Sequence, residues 1–200
     1  MNHPLRIVIA DDEPDMREYF RKLLPRLGHQ VLAVAETGRA LVECCRASPP
    51  DLVITDIKMP DMDGIDAATQ IYRERPIPII LVSAYHDAEL IQRAEADHIM
   101  GYLVKPIKQA DLEPVIALTM RRFAQFQHLR KEAADLRQAL EDRKVIERAK
   151  GFLMKRGPMD EHEAYRRLQR MACDRNRKVV EIAQMVLVTE ESLRPSAKGD

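Results

Sequence analysis

Short apolar runs alternate with amphipathic segments in the first half of the chain. Five runs have the length and composition of strands: Leu5–Ala10, Gln30–Ala35, Leu52–Thr55, Ile77–Val82 and Gly101–Val104. Helical patterns lie between them, near Asp15–Leu27, Gly38–Ala47, Gly64–Arg75 and Ala88–Ala96. Runs that are apolar on both faces are typical of parallel strands covered by helices on both sides. The pattern therefore predicts an α/β fold, a five-stranded doubly wound parallel sheet.

The second half of the chain has only helical patterns. No glycine or proline lies between Val115 and Lys150, which predicts one helix of about 40 residues. Apolar residues recur in it at steps of three and four: Phe126, Leu129, Ala133, Leu136 and Leu140. This pattern fits a short coiled coil with a second copy of the chain, and it also fits an amphipathic helix packed on its own domain. We expect a linker helix over residues 123–143 and a homodimer formed through it.

A small helical bundle is predicted to follow. The Gly157–Pro158 pair should end the long helix, and Asp160 should begin the next one with a capping box. That helix should end near Asn176, and a third should cover Val179–Val188. The expected core of the bundle has nine residues: Ala149, Leu153, Ala164, Tyr165, Leu168, Met171, Ala172, Ile182 and Ala183. Residues 189–200 are expected to be a flexible tail.

The composition allows a sizeable buried core, since 46% of the 200 residues are hydrophobic and 32% are charged. The longest apolar run, Ile77–Val82, is far shorter than the roughly 18 residues of a membrane-spanning helix. The N-terminal segment reaches the carboxylates of Asp11 and Asp12 before a signal-peptide region develops. The three cysteines lack metal-ligand spacing and are expected to be reduced. These features predict a cytoplasmic protein without a membrane partner.

The formal net charge of zero conceals an asymmetry. Residues 1–120 carry 13 basic and 19 acidic side chains, whereas residues 121–200 carry 19 basic and 13 acidic ones. Residues 143–178 hold 12 basic and 5 acidic side chains, a net charge of +7. The charge alone fits a solvated basic surface or a nucleic-acid interface, with DNA bound through a helix-turn-helix slightly favoured over RNA.

Residues suited to phosphoryl chemistry follow four of the predicted strands. Asp11 and Asp12 follow the first strand, Asp56 the third, Ser83 the fourth and Lys105 the fifth. The carboxyl ends of parallel strands lie at one rim of the sheet, so these side chains should converge. Carboxylates are ligands for Mg²⁺, and a carboxylate beside a metal and a lysine can accept a phosphoryl group. Each residue singly also fits a helix cap or a solvated lysine, but the set favours a site.

The motifs around these residues resemble the receiver domain of response regulators. IVIADDE, LVITDIKMPDMDG, LVSA and GYLVKPI occur in the family's order within residues 4–122, so we assign residues 1–122 to a flavodoxin-like receiver. The resemblance implies that Asp56 is the phosphoacceptor and that Lys105 pairs with the phosphoryl group. A sensor histidine kinase would be the partner that supplies this group.

The same resemblance implies a metal site and a switch. Mg²⁺ is the expected cofactor, with four ligands: Asp11, Asp12, Asp56 and the backbone carbonyl of Lys58. Ser83 would donate a hydrogen bond to a phosphoryl oxygen, and Tyr102 would turn inward behind it as the second member of the switch pair. Because the transfer to Asp56 is self-catalysed, we do not expect an enzyme with a turnover substrate.

The basic half resembles the ANTAR domain, the RNA-binding output module of transcription antitermination regulators. RKVIERAKGFLM, EAYRRLQRMA, DRNRK and VVEIAQMVL carry this likeness over residues 136–188. It implies binding to tandem stem-loops in a nascent transcript, which prevents a terminator from forming. Seven motif residues, expected at exposed surface, are candidates for RNA contact: Lys150, Gly151, Arg167, Arg170, Arg175, Asn176 and Arg177. Asn176 also fits a left-handed helix C-cap.

Two other functions are open on the sequence alone. The first is a DNA-binding response regulator, although the chain has no obvious recognition helix. The second is an adaptor that signals through its coiled helix to a protein partner and binds no nucleic acid. Gel shifts with duplex DNA and with hairpin RNA distinguish all three.

Overall fold

The computed structural model describes residues 3–84 and 99–193. The chain divides into two compact units, Met1–Gln127 and His128–Asp200. The first unit contains all the described strands, and the second is helical. No helix within the described ranges combines the length and the apolarity that a membrane span requires.

A parallel sheet forms the centre of the first unit. Its strands are β1 (Arg6–Ala10), β2 (Gln30–Ala35), β3 (Leu52–Asp56), β4 (Ile79–Ser83) and β5 (Ile99–Val104). They lie in the order β2-β1-β3-β4-β5, and each neighbouring pair is parallel. The predicted five-stranded parallel sheet is confirmed. β4 begins at Ile79 instead of the predicted Ile77, because Pro78 has no N–H for a neighbouring strand.

Helices cover both faces of this sheet: α1 (Pro14–Arg26), α2 (Gly38–Ala47), α3 (Gly64–Glu74) and the first turns of α4 (Gln109–Arg156). Alternate strand residues face opposite sides. In β1, Ile7 and Ile9 belong to a core shared with α1 and α4, whereas Val8 and Ala10 belong to a core shared with α2 and α3. The helix predicted near Ala88–Ala96 lies outside the described residues.

α4 is one helix of 48 residues, longer than predicted, and it ends directly before Gly157 as expected. Ile116 near its start is buried against the sheet, and Ala149 near its end is buried in the helical unit. Three leucines of the predicted seam lie between these ends: Leu129, Leu136 and Leu140 are 62%, 63% and 59% exposed. The described part of the chain therefore leaves these three leucines uncovered.

Two shorter helices complete the helical unit, α5 (Glu161–Arg175) and α6 (Val179–Leu193). The predicted capping box is confirmed, because the side chains of Asp160 and Glu163 each accept a hydrogen bond from the other's backbone N–H. Five of the nine predicted core residues are buried together: Ala149, Leu168, Ala172, Ile182 and Ala183. Leu153 and Met171 pack against this core.

The sequence predicted the end of α5 but not the end of α6. Asn176 ends α5 in the left-handed conformation, at φ 49° and ψ 49°, so the expected C-cap is confirmed. The backbone N–H groups of Asn176 and Arg177 donate to carbonyls of the last turn, which completes a Schellman motif. α6 continues past the predicted end at Val188, because no glycine or proline interrupts it before Pro195. The expectation that residues 189–193 belong to a tail is wrong.

Candidate functional site

An acidic pocket lies at the carboxyl ends of β1 and β3. Asp11 is fully buried and Asp56 is 7% exposed. Oxygen atoms from four carboxylates, those of Asp11, Asp12, Glu13 and Asp56, lie within 4.8 Å of one another. The predicted convergence of the strand ends therefore brings three of the expected acidic residues together, with Glu13 as a fourth.

A glycine fixes the backbone beside Asp56. The N–H of Gly64 donates to the carbonyl of Ile57 at 2.8 Å, which closes the loop after β3. A Cβ on Gly64 would lie 1.9 Å from the carbonyl oxygen of Asp56. The absence of a side chain at this position therefore allows α3 to begin against the phosphoacceptor candidate.

Gly64→Ala should consequently destabilise the first unit by about 1 to 3 kcal/mol, as overpacking of a tight core does. The measurement is urea unfolding of the full chain followed by circular dichroism. Gly151→Ala is the control, because its Cβ would meet no atom within 4 Å in the described ranges other than those of its chain neighbours and its own helix backbone. Alanine should stabilise that helical position by about 1 kcal/mol. An unchanged unfolding midpoint for Gly64→Ala would contradict the close approach of this loop to Asp56.

Lys105 places one cation among these carboxylates. Its Nζ lies 2.9 Å from Oδ2 of Asp56, 2.7 Å from Oε1 of Glu13 and 3.1 Å from Oδ2 of Asp11. Burial acts to lower the pKa of Lys105, but the hydrogen bonds to Glu13 and Asp56 and the nearby carboxylate of Asp11 outweigh it and raise this pKa above its usual value. Lys105 is therefore a permanent cation. The sequence pattern did not identify Glu13 as a partner of Lys105, although it directly follows the Asp11–Asp12 pair.

The chemistry of the pocket fits a divalent cation. Oδ2 of Asp11 is buried and accepts no hydrogen bond of good geometry from the described residues, although Lys105 Nζ is near it. Burial raises the pKa of the Asp11 carboxyl, while the backbone N–H of Glu13 and the Lys105 ammonium act to lower it. Four carboxylates and one ammonium leave an excess of negative charge. A hard cation with oxygen ligands, such as Mg²⁺, would balance this charge.

The other expected receiver positions lie on or directly beside strands of the same sheet. Ser83 is 4% exposed at the end of β4, and its Oγ donates to the carbonyl of Ala84 at 2.9 Å. Tyr102 on β5 is half-buried and packs against the core beneath α2 and α3. Lys58 follows β3 with an exposed side chain. The Lys105–Pro106 peptide bond is cis.

A basic surface covers the exposed side of α5. Five of the seven RNA-contact candidates are exposed: Arg167, Arg170, Arg175, Asn176 and Arg177. Arg166 and Arg170 line both of two open hollows, with volumes of about 520 and 830 Å³. Gly151 on α4 is half-exposed. Arg166 and Arg170 are thus shared by the walls of two open hollows on the exposed side of α5.

Lys150 corrects one expectation. It is 7% exposed instead of lying at the surface, because its Nζ is held by Oε1 of Glu147 at 2.8 Å and by Oε1 of Glu161 at 2.6 Å. The hydrogen bonds to Glu147 and Glu161 raise the pKa of Lys150. Lys150 joins the last turns of α4 to the start of α5, and in this arrangement it has little surface to offer to RNA.

Comparison with known families agrees with both halves of this description. Residues 7–117 match the response regulator receiver domain, and residues 134–187 match the ANTAR domain. The chain belongs to the response regulators. Its receiver is N-terminal and its ANTAR domain is C-terminal, and neither of the two matched families is a family of enzymes. Receiver domains bind Mg²⁺ at an acidic pocket, which corresponds here to the carboxylate cluster.

This response regulator is similar to one kind of protein over nearly its whole length and to solved receiver domains over about 60% of the chain. It is 40% identical to the transcriptional regulatory protein PdtaR of Mycobacterium tuberculosis. The alignment spans 186 residues, which are 93% of this chain and 91% of PdtaR. A receiver domain of a modulated diguanylate cyclase from Desulfovibrio desulfuricans is 27% identical, with a TM-score of 0.58 over 62% of this chain and 98% of that one. The receiver of NarL from Mycobacterium tuberculosis, also 27% identical, has a TM-score of 0.56 over 60% and 98%.

Proposed function

We propose that this response regulator accepts a phosphoryl group on Asp56 from a sensor histidine kinase and then binds tandem stem-loops of nascent RNA as a transcription antiterminator. The supporting observation is that the Asp56–Lys105 pocket and an exposed basic surface occur in one chain whose C-terminal half matches the ANTAR family. Such a regulator would act in the cytoplasm, where transcripts are made. The receiver would comprise residues 1–122, the linker helix residues 123–143 and the RNA-binding domain residues 136–188.

Both oxygens of Asp56 are oriented by hydrogen bonds. Oδ1 accepts from the N–H of Ile57 at 2.6 Å, and Oδ2 accepts from Nζ of Lys105 at 2.9 Å. In the transfer, one of these oxygens forms a bond to phosphorus while the bond from phosphorus to the leaving atom of the donor breaks. Lys105 would then pair with the new phosphoryl oxygens.

The acidic cluster would hold Mg²⁺ through four ligands: Asp11, Asp12, Asp56 and the carbonyl of Lys58. The ion, when bound, would neutralise negative charge on the phosphoryl oxygens during transfer.

Ser83 would exchange its hydrogen bond with Ala84 for one to a phosphoryl oxygen, and Tyr102 would follow it inward. Phosphorylation can alter RNA binding only if it favours one of two arrangements that differ in RNA affinity.

The α5 surface is the proposed RNA-recognition face. Arginine and asparagine side chains can pair with phosphates and with the edges of unstacked loop bases. Five residues at this surface are assigned to RNA contact: Arg167, Arg170, Arg175, Asn176 and Arg177. Gly151, on α4, is the sixth residue proposed to contact the RNA. Asn176 has a structural role as the C-cap as well, so its effect on RNA affinity would combine both.

If these arginines contact phosphates, affinity for hairpin RNA should fall steeply with salt. Arg167→Gln or Arg170→Gln should each reduce the log–log salt slope by about 0.7 to 0.9, the value of one phosphate contact. Arg122→Gln, an exposed substitution on α4 outside the linker and the RNA-binding domain, is the control and should leave the slope unchanged. An affinity that does not depend on salt would contradict the electrostatic basis of the interface.

Crosslinking of the chain in cells, followed by sequencing of bound transcripts, tests the function directly. Recovered leaders with two adjacent stem-loops would support antitermination. Gel shifts then compare each recovered hairpin RNA with duplex DNA of the same sequence. Tighter binding to the duplex would favour a DNA-binding regulator, and failure to bind either at low salt would favour a protein adaptor.

A further inference from the structure

Gly151 lies on the outer side of α4 near the end of the helix, where the described residues give no packing reason for a glycine. Apart from its chain neighbours and the backbone of its own helix, no atom of those residues lies within 4 Å of the position that its Cβ would occupy. Glycine weakens a helix interior more than any residue except proline. A common reason for glycine at such a position is the close approach of a ligand to the backbone.

The helix surface around Gly151 is basic. At about 100° per residue, Lys144, Arg148 and Lys155 lie within roughly 60° of Gly151 around the helix axis. All three side chains are exposed. The opposite side of the same turns carries Ala149, which is fully buried in the core of the helical unit. The glycine therefore points directly away from the core and lies among three cations.

The nearest acidic side chain on these turns does not cancel this charge. Both carboxylate oxygens of Glu147 accept hydrogen bonds from Lys150 Nζ, at 2.8 and 2.9 Å. Glu147 is thereby paired with a buried lysine, which it shares with Glu161, so it offsets only part of the charge of the three exposed cations. Lys144 pairs with Glu141 at 2.7 Å. Among the described residues, no carboxylate is recorded at hydrogen-bond distance from Arg148 or Lys155.

We propose that the glycine face, formed by Lys144, Arg148, Gly151 and Lys155, docks the sugar-phosphate backbone of the RNA. This proposal rests on the RNA binding proposed above. The missing side chain at Gly151 lets the strand lie against the helix, where Arg148 and Lys155, one turn away on either side, can pair with phosphates. Contacts of this kind position the nucleic acid, whereas sequence would be read by the α5 surface.

The test uses RNAs with two hairpins of randomised loops, selected on the full-length chain in the presence of a phosphodonor and Mg²⁺. The dissociation constant of Gly151→Gln for a selected RNA should be at least about tenfold higher, because the new side chain blocks the approach of the strand. Gly151→Ala should have a smaller effect. Ala134→Gln, which places the same side chain at another exposed site of α4, should bind as the wild type does.

Salt dependence supplies a second measurement that a folding defect would not reproduce. Arg148→Gln and Lys155→Gln should each lower the log–log salt slope by about 0.7 to 0.9. Thermal unfolding should show that Gly151→Gln is at least as stable as the wild type, since glutamine is the better helix former.

Three outcomes would overturn the proposal. Wild-type affinity of Gly151→Gln with unchanged salt slopes for Arg148→Gln and Lys155→Gln would exclude this face while leaving the α5 surface intact. A lower molar mass of Gly151→Gln in light scattering, with unchanged affinity for a single hairpin, would assign the face to a second copy of the chain. A wild-type chain that selects no RNA would remove the proposed RNA function itself.

Discussion

Asp56→Ala is expected to reduce labelling of the chain by a small phosphodonor and Mg²⁺ to below detection. Asp56 is the carboxylate that ends β3 in the acidic pocket, with Lys105 Nζ 2.9 Å from its Oδ2. Alanine removes the nucleophilic oxygen. Intact-mass spectrometry of the full chain measures the phosphorylated fraction.

Asp135→Ala is a matched control for this loss, because it removes an exposed carboxylate of α4 far from the pocket in sequence. Its labelling should equal that of the wild type. Lys105→Met should leave Asp56 in place but slow its labelling, since the ammonium no longer balances the phosphoryl charge. Equal labelling of Asp56→Ala and wild-type protein would remove the phosphoacceptor assignment.

The sheet could be predicted from sequence because parallel strands covered on both sides are continuous apolar runs. In β1, β3 and β4 these runs are buried along nearly their whole length, so the pattern is strong. The rim where the runs end follows from the topology, which is why Asp11, Asp56 and Lys105 could be expected to meet.

Two features of the charged groups that the sequence analysis missed depend on tertiary contacts that a pattern does not contain. Lys150 adjoins Ala149 on the buried edge of α4, and its burial requires Glu161, which lies on the next helix. Glu13 reaches Lys105, 92 residues later in the chain, because of the turn after β1. The hydrophobic periodicity of a sequence predicts which face of a helix a residue occupies, but it does not predict the ion-pair partners of that residue.

Element ends were predicted well only where a residue stops the helix chemically. Gly157 follows the last residue of α4, and the left-handed Asn176 ends α5. α6 has no such signal before Pro195, so the fading apolar pattern at Val188 gave too early an end. The pattern also left open whether the apolar seam of α4 packs within its own domain. Leu136 is exposed in the single chain, so it does not pack on the described part of its own domain.

Leu136→Asp is expected to weaken binding to two tandem hairpins on the order of a hundredfold more than binding to a single hairpin. Leu136 is 63% exposed in the single chain, as a residue that packs in a coiled coil with a second copy would be. Pairing of two chains would bring two basic bundles to two hairpins and raise avidity without new contacts. An aspartate on the seam would have to lose its hydration for the helices to pair, so the dimer should dissociate.

Ala134→Asp is the control, because it places the same charge on an exposed position of α4 that is not part of the seam. It should leave both affinities near those of the wild type, and both variants should still be labelled on Asp56. Affinities for single and paired hairpins, measured with and without a phosphodonor, also show whether pairing depends on phosphorylation. Equal losses on single and paired hairpins for Leu136→Asp would mean that the exposed leucines do not join two copies of the chain, and the gain in avidity would then need another origin.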